Sequence, residues 1–241
     1  MDLKKGNRIE LEPVAVVRSP FEEKFGIPRQ PGLAPSAVGE VRMLAPYDAP
    51  GMMQGLAGFS HIWLTFQFDR CVGQGWRPKV RPPRLGGNRE VGVWASRSPF
   101  RPNFLGLSVV RLVEVVQKPE TLLRVSGIDL LDGTPILDIK PYLPYADAIS
   151  QATGGFAPAA PEAGLAVSFN DQAEEDLAGL RNSAEMRVLV TEVLALDPRP
   201  AYRQGAEPGR FYGMRLAGLN VRWRVADDGV EVVGIRSASP A

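Results

Sequence analysis

Short apolar, β-rich runs broken by polar turns and by clusters of Pro and Gly fill the first two-thirds of the chain. The runs are Val14–Arg18, Val38–Ala45, His61–Phe68, Val91–Ser96, Leu107–Gln117, Thr121–Leu131 and Pro135–Lys140. The breaks include Pro28–Pro35, Pro46–Gly51 and Pro78–Gly87. Regularly spaced short strands with this punctuation predict a β-barrel or sandwich. Leu107–Gln117 and Thr121–Leu131 read as a hairpin closed near Lys118–Glu120.

The pattern changes after Thr153–Gly164, a stretch rich in Pro, Ala and Gly that reads as a linker. Asn170 or Asp171 can cap a helix running to about Arg181, with Asp171, Glu174, Glu175 and Asp176 near its positive end. Ala184–Leu196 is a second helix, stopped by Asp197-Pro198. Phe211–Leu216, Leu219–Ala226 and Val230–Arg236 predict a small antiparallel sheet, with Asp228-Gly229 as its last turn. The expected organisation is a β-rich domain over residues 1–155 and a small α+β domain over 165–241.

Composition narrows the function classes. The chain has 241 residues, 44% hydrophobic and 23% charged, an ordinary globular balance. No apolar run approaches the roughly 18 residues of a membrane span, and the N-terminal residues lack a signal-peptide core. A cytoplasmic protein without membrane attachment is expected. One Cys (Cys71) and one His (His61) exclude a Cys/His zinc site, and no metal is expected. A Cys71–His61 dyad is arithmetically possible; the competing reading is a packed thiol and a strand histidine.

Net charge is only +1, but the base is distributed unevenly. Eight Arg or Lys residues lie between Arg70 and Arg101 against one acid, Glu90. Such a stripe on a neutral protein is a footprint for an anionic partner. There is no phosphate-binding P-loop. Gly73-Gln74-Gly75 is followed by Trp76 with no helix to receive a pyrophosphate, so a dinucleotide fold is excluded. The common hydrolase motifs are absent too.

Two segments carry chemistry. In Gly92–Leu107 a strand runs into a loop holding Arg97, Ser98, Arg101 and Asn103, stiffened by Pro99 and Pro102. Arg97 and Arg101 offer forked donors to carboxylate or phosphate, and Gly106 permits close approach. The competing reading is a solvated Arg-Pro turn. In Gly127–Asp147, Asp132-Gly133 makes a tight turn, and Asp138 and Lys140 share one face of a strand. Tyr142 and Tyr145 follow. An acid, an amine and two phenols on one rim can move a proton and stack a flat ring. A purely structural Asp–Lys pair is the alternative. A third rigid loop, Phe25–Leu33, displays Arg29 and Gln30.

These segments together resemble the TsaA-like family of tRNA methyltransferases. The matching phrases are KFGIPRQPGL, GFSHIWLTFQF, GWRPKVRPPRLGG, GVWASRSPFRPNFLGLS and GIDLLDGTPILDIKPYLPYAD; DPRPAYR and NVRWRV resemble members with a C-terminal extension. The resemblance implies a closed antiparallel β-barrel that uses S-adenosylmethionine without a Rossmann fold. It implies N6 methylation of threonylcarbamoyl-adenosine beside the anticodon of threonine tRNA, by a homodimer with cofactor near the subunit interface. Carried over, it places Arg29, Gln30, Pro31, Asp69, Arg70, Arg97, Leu107, Ile128, Asp129 and Leu130 against the cofactor. Asp138, Lys140 and Tyr142 would face the reacting nitrogen.

An acceptor nitrogen of the ureido type must shed a proton, and Asp138 or Tyr142, tuned by Lys140, is the expected acceptor. The substrate side is assigned to Arg101, Asn103 and Tyr145, with Arg199, Arg203, Arg222 and Arg224 on tRNA phosphates. Arg101 is expected to pair with the threonyl carboxylate. Two rival readings remain open at this level. One is a non-catalytic tRNA-binding barrel. The other is a barrel methyltransferase acting on a small metabolite.

Overall fold

The computed structural model describes residues 9–161, 164–200, 209–226 and 229–238. The elements are β1 (Ala15–Arg18), β2 (Val38–Met43), β3 (His61–Gln67), α1 (Asp69–Val72), β4 (Lys79–Val80), β5 (Val91–Gly92), β6 (Leu105–Val116), β7 (Leu122–Ser126), β8 (Pro135–Pro141) and α2 (Pro144–Asp147). They continue as β9 (Ala166–Phe169), α3 (Asp171–Ala178), α4 (Ser183–Ala195), β10 (Phe211–Leu216), β11 (Leu219–Ala226) and β12 (Gly229–Ser237).

Six strands close into one antiparallel barrel in the order β1-β2-β7-β6-β3-β8, with β8 paired back onto β1. Closure removes the exposed sheet edges that an open sheet would leave. The inside and outside of the wall follow directly from the alternation of residues. In β3, Ile62, Leu64 and Phe66 are buried in the barrel, while His61, Trp63, Thr65 and Gln67 face outward. The hairpin of β6 and β7 forms as expected, pairing Val116 with Leu122.

Two runs are shorter than their apolar pattern suggests. Val91–Ser96 is a strand only over Val91–Gly92 and then a tight 3-10 turn. Val93 N is taken by Pro78 O at 3.0 Å, and Ser96 Oγ folds back on Val93 O at 2.8 Å. Thr121–Leu131 ends as a strand at Ser126 because Gly127 takes a φ of 72°. A Cβ on Gly127 would lie 3.1 Å from Gly32 Cα, and Gly32 N donates to Gly127 O at 2.8 Å. The glycine pair therefore clamps the Phe25–Leu33 loop to the end of β7 and leaves residues 128–134 as an irregular wall.

The C-terminal sheet has the order β10-β11-β12-β9, and β9 lies parallel to β12. The sheet is thus mixed rather than wholly antiparallel. A parallel partner needs a crossover, which α3 and α4 supply. Asn170 caps α3 by accepting Ala173 N at 2.9 Å, and the helix ends at Ala178, short of Arg181. The Asp228-Gly229 turn lies partly outside the described residues. None of the described helices is long and apolar enough to cross a membrane.

The described residues of the Thr153–Gly164 stretch form neither helix nor strand. The C-terminal unit nevertheless packs directly on the barrel. Buried residues of both form one core, from Ile62 and Leu123 to Trp223 and Val232. Phe21 bridges to Leu216, and the Glu22 and Glu23 carboxylates accept Gly218 N at 2.6 Å and Arg215 N at 2.9 Å. Ser36 donates to Glu192 from its backbone N at 2.9 Å and its hydroxyl at 2.5 Å. This fastening fixes the Phe25–Leu33 loop, the first wall of the site.

Candidate active site

The outward face of β3 and β6 forms the floor of a cavity of about 840 Å³. That is a size suited to a cofactor or nucleoside. Trp63, Thr65 and Leu107 come from the strands, Asp69 and Arg70 from the start of α1, and Asp129 and Leu130 from the irregular wall after β7. The remaining walls are the two rigid loops, Arg29–Pro31 and Arg97–Arg101.

The loops are held by their own polar groups. Ser96 Oγ accepts Ser98 N at 3.3 Å, and Ser98 Oγ accepts Phe100 N at 3.2 Å, so each serine hydroxyl tightens the turn after it. Arg101 Nη1 donates to Ser96 O at 3.2 Å, and the Arg77 guanidinium lies 4.2 Å from the centre of the Phe100 ring. Across the cavity mouth, Arg97 Nη1 donates to Gln30 Oε1 at 2.5 Å. Arg29 Nη2 donates to Arg199 O at 3.3 Å. Burial pulls the Arg29 guanidinium below its ordinary pKa, opposed by the nearby Asp197.

Asp129 is the strongest electrostatic feature of the cavity. Ser108, buried in β6, donates to Asp129 Oδ1 at 2.8 Å. Burial raises the carboxyl pKa to about 6, although the Ser108 bond and the positive charge of Arg97 work in the other direction. A carboxylate with forked arginine donors nearby and apolar walls between them fits S-adenosylmethionine. Such a site can take a ribose diol or ammonium on the acid, a carboxylate on the arginine and a purine against the walls.

A second cleft of about 530 Å³ adjoins the first and shares Pro31, Trp63, Arg97 and Leu107 with it. Its other walls are His61, Val109, Tyr142 and Asp147. The Tyr142 ring stands 5.9 Å from the Trp63 ring and 6.2 Å from the His61 ring. Asp138 and Lys140 share the outer face of β8, as their spacing requires. They pair across the sheet with Thr65 and Trp63, beside the cavity rather than in its lining. No ion pair joins Asp138 to Lys140 among the described residues, so the structural Asp–Lys pair is not formed.

Of the residues expected at the cofactor, Arg29, Gln30, Pro31, Asp69, Arg70, Arg97, Leu107, Asp129 and Leu130 all line the cavity. Ile128 does not. Its side chain is fully buried in the barrel against Gly39, because the chain alternates faces as it leaves β7. Arg101 also lines the cavity, whereas Asn103 sits at a φ of 67° in the turn behind it and Tyr145 on α2 is 86% exposed to solvent.

The C-terminal arginines divide. Arg222 and Arg224 stand on the outward face of β11, with the Arg222 guanidinium 4.6 Å from the centre of the Phe211 ring and Arg224 Nε 2.5 Å from Glu231. Arg199 is only 4% exposed and forks onto Asp197 at 2.7 and 2.8 Å, so its side chain is structural and does not reach a phosphate. Arg203 lies outside the described residues. Cys71 is buried and touched by Lys24 Nζ at 4.0 Å, and His61 Nδ1 meets Ser60 Oγ at 3.0 Å, so thiol and imidazole are not partners. Sequence reasoning gave no role to Trp63, Ser108 and Asp147, although all three lie in the matching phrases, nor to the Trp94 indole beside Arg101, which is 72% exposed.

Two family descriptions match the chain. The tRNA-methyltransferase O N-terminal domain covers residues 16–148 and the C-terminal domain of the same family covers residues 162–238. The chain is 49% identical to the tRNA (adenine(37)-N6)-methyltransferase of Escherichia coli over 94% of its own length and 97% of that protein. It is 51% identical to a Pseudomonas aeruginosa protein described as a candidate S-adenosylmethionine-dependent methyltransferase, RcsF, over 88% of this chain and 91% of that one. The crystal structure of TrmO from P. aeruginosa superposes with a TM-score of 0.80 at 40% identity, covering 97% of this chain and all of that one.

Proposed function

Because the chain belongs to the tRNA-methyltransferase O family, we infer that it is an S-adenosylmethionine-dependent tRNA methyltransferase acting on the N6 nitrogen of an adenine. The observation that carries the reading is the junction of the two cavities. A cofactor-sized pocket with an acid and forked arginines adjoins, at Trp63 and Arg97, an aromatic cleft of about 530 Å³. The finer assignment is that the acceptor is a threonylcarbamoyl-adenosine beside the anticodon of threonine tRNA. In this reading residues 1–155 carry catalysis, residues 165–241 help to grip tRNA, and the enzyme works as a homodimer.

When bound, S-adenosylmethionine supplies an electrophilic methyl group for in-line displacement. The protein's part is position and charge. Asp129 and Arg97 would hold the polar ends of the cofactor, with Arg29–Pro31 closing over it. The aromatic cleft would take the acceptor base against Tyr142, with Asp138 and Lys140 on the neighbouring outer face of β8. The acceptor nitrogen must lose a proton, and the two oxygens of a carboxylate on β8 give it an acceptor next to the methyl-transfer path. Asp138 is therefore assigned as proton acceptor, with Lys140 placing positive charge beside it. Arg101 is assigned to the threonyl carboxylate. Arg222 and Arg224 are assigned to tRNA phosphates.

The test is transfer of labelled methyl from S-adenosylmethionine to tRNA with and without the threonylcarbamoyl group. Methylation of the modified tRNA alone is expected. Equal labelling of both would overturn the substrate assignment. Cofactor affinity without any transfer would favour a binding protein.

A further inference from the structure

We propose that Asp147 is a positioning residue that holds the Trp63 indole as the fixed wall of a nucleobase seat beside the cofactor cavity. The proposal rests on the methyl-transfer reading above and adds a residue and a role to it.

Trp63 stands on the outer face of β3, between Val109 of β6 and Lys140 of β8 in the sheet register. An indole on the outside of a barrel has no core to fix its rotamer. Here it is fixed from outside. Trp63 Nε1 donates to Asp147 Oδ2 at 3.0 Å, and the same oxygen accepts Leu143 N at 2.8 Å. Asp147 is itself anchored, since its backbone N donates to Leu143 O at 2.8 Å. The carboxylate therefore spans α2 and β3 from a rigid turn, and one oxygen holds both donors.

The surroundings explain why a carboxylate serves there. The Leu143 amide, the Trp63 indole and the Lys140 ammonium all hold the Asp147 carboxyl below the usual carboxylate range, so it stays ionised and acceptor-only. A charged acceptor makes the stronger bond to an indole N–H. Trp63 lines both cavities, with Tyr142 tilted at 45° to it on the cleft side. A flat aromatic ring entering the cleft meets the indole and the phenol together. The indole offers that ring a steady stacking face only while it is held. The partner implied is a purine displaced from its own stack, not a phosphate, because among the described residues of the lining Arg97 is the one Arg or Lys and Asp147 is an acid, while Trp63, Leu107, Val109 and Tyr142 are apolar or aromatic.

The experiment uses the full-length protein labelled with 5-fluorotryptophan, its Trp63 resonance assigned with Trp63→Phe. Asp147→Ala is expected to shift or broaden that resonance, and Asp147→Asn, which keeps an acceptor oxygen, to leave it near the wild-type position. In steady-state assays Asp147→Ala should raise the KM for tRNA about tenfold, the loss of roughly one stacking contact. The Kd for S-adenosylmethionine by calorimetry should change less than about twofold, and Asp147→Asn should restore the KM. Asp147→Ala combined with Trp63→Ala should be no worse than Trp63→Ala alone, because both remove one function. An unmoved Trp63 resonance in Asp147→Ala, or additive effects in the double variant, would overturn the proposal. If wild-type protein transfers no methyl to any tRNA, the functional reading fails while the fluorine spectrum still decides whether Asp147 holds Trp63.

Discussion

Arg97 Nη1 and Gln30 Oε1 meet at 2.5 Å and join two proline-stiffened loops that are 67 residues apart in the chain. The contact closes the cavity mouth with a guanidinium whose other donors stay available. Arg97→Ala is expected to weaken S-adenosylmethionine binding at least tenfold, because a charge-assisted contact to the ligand and the bridge are lost together. Gln30→Ala, which removes the bridge alone, should cost no more than about threefold. Arg97→Lys should resemble the alanine variant, since a point charge cannot bond Gln30 and a carboxylate in one plane. Titration calorimetry on the three variants gives the ranking, and a Gln30→Ala effect equal to that of Arg97→Ala would show that the loop pose dominates.

Asp129 ties the site to pH. Its carboxyl pKa is raised to about 6 by burial, so the native protein holds this proton more tightly than the unfolded chain does. The sign follows: the proton's stabilising contribution is complete below the ordinary carboxylate pKa and is lost as pH rises through about 6. At pH 8 the ionised acid costs the fold on the order of 2 kcal/mol. Asp129→Asn should therefore raise the melting temperature at pH 8 and change it little near pH 4. The same substitution should weaken cofactor binding at pH 8, and wild-type affinity should fall as pH drops through 6. A melting temperature at pH 8 that Asp129→Asn does not raise would mean that the carboxyl is solvated in the cavity.

The parts of this architecture that could be read from sequence are those set by neighbours in the chain. β3 and β11 alternate faithfully, so their buried and exposed faces follow from the residues alone. Asn170 announces its helix by capping it. The loops around Arg29 and Arg97 could be read because Pro, Gly and Arg mark rigidity and anion affinity locally. Other features depend on closure of the barrel. Ser108 reaches Asp129 and Trp63 reaches Asp147 only because strands distant in sequence become neighbours, and no local pattern encodes that. β9 escaped notice because four residues gain strand character only from a parallel partner more than 60 residues away. Arg199 looked like a surface arginine in a Pro-rich turn; its burial depends on Asp197 and on packing of the Arg29 loop against it.

Lys140 and Asp138 separate chemistry from binding. Both stand on the outer face of β8 beside the cavity, and neither lines it. Asp138→Asn and Lys140→Ala should each lower kcat by at least about a hundredfold, the scale of a lost general-base contribution, while cofactor affinity stays within about twofold. Tyr142→Phe should leave the KM for tRNA within about twofold, since the ring that stacks remains and only the hydroxyl goes. Single-turnover rates with tRNA and calorimetry with cofactor distinguish the cases. Loss of cofactor binding in Lys140→Ala would move that residue into the cofactor shell.

The C-terminal arginines give a matched pair of opposite outcomes. Arg222 and Arg224 point outward from β11, and the neighbouring Phe211 is half exposed. Replacing both by alanine should weaken tRNA binding and reduce the slope of log affinity against log salt by about one to two, because each phosphate contact contributes just under one unit. The melting temperature should hardly move, as surface ion pairs such as Arg224–Glu231 contribute little. Arg199→Ala should do the reverse. It removes the guanidinium fork from Asp197, leaving that carboxylate the Arg199 backbone N–H and the nearby Arg29, and should cost about 2 kcal/mol of stability, with the salt slope unchanged. Filter binding at a series of salt concentrations, set beside thermal melts, tests both arms. A flattened salt slope in Arg199→Ala at intact stability would put that arginine back on the RNA surface.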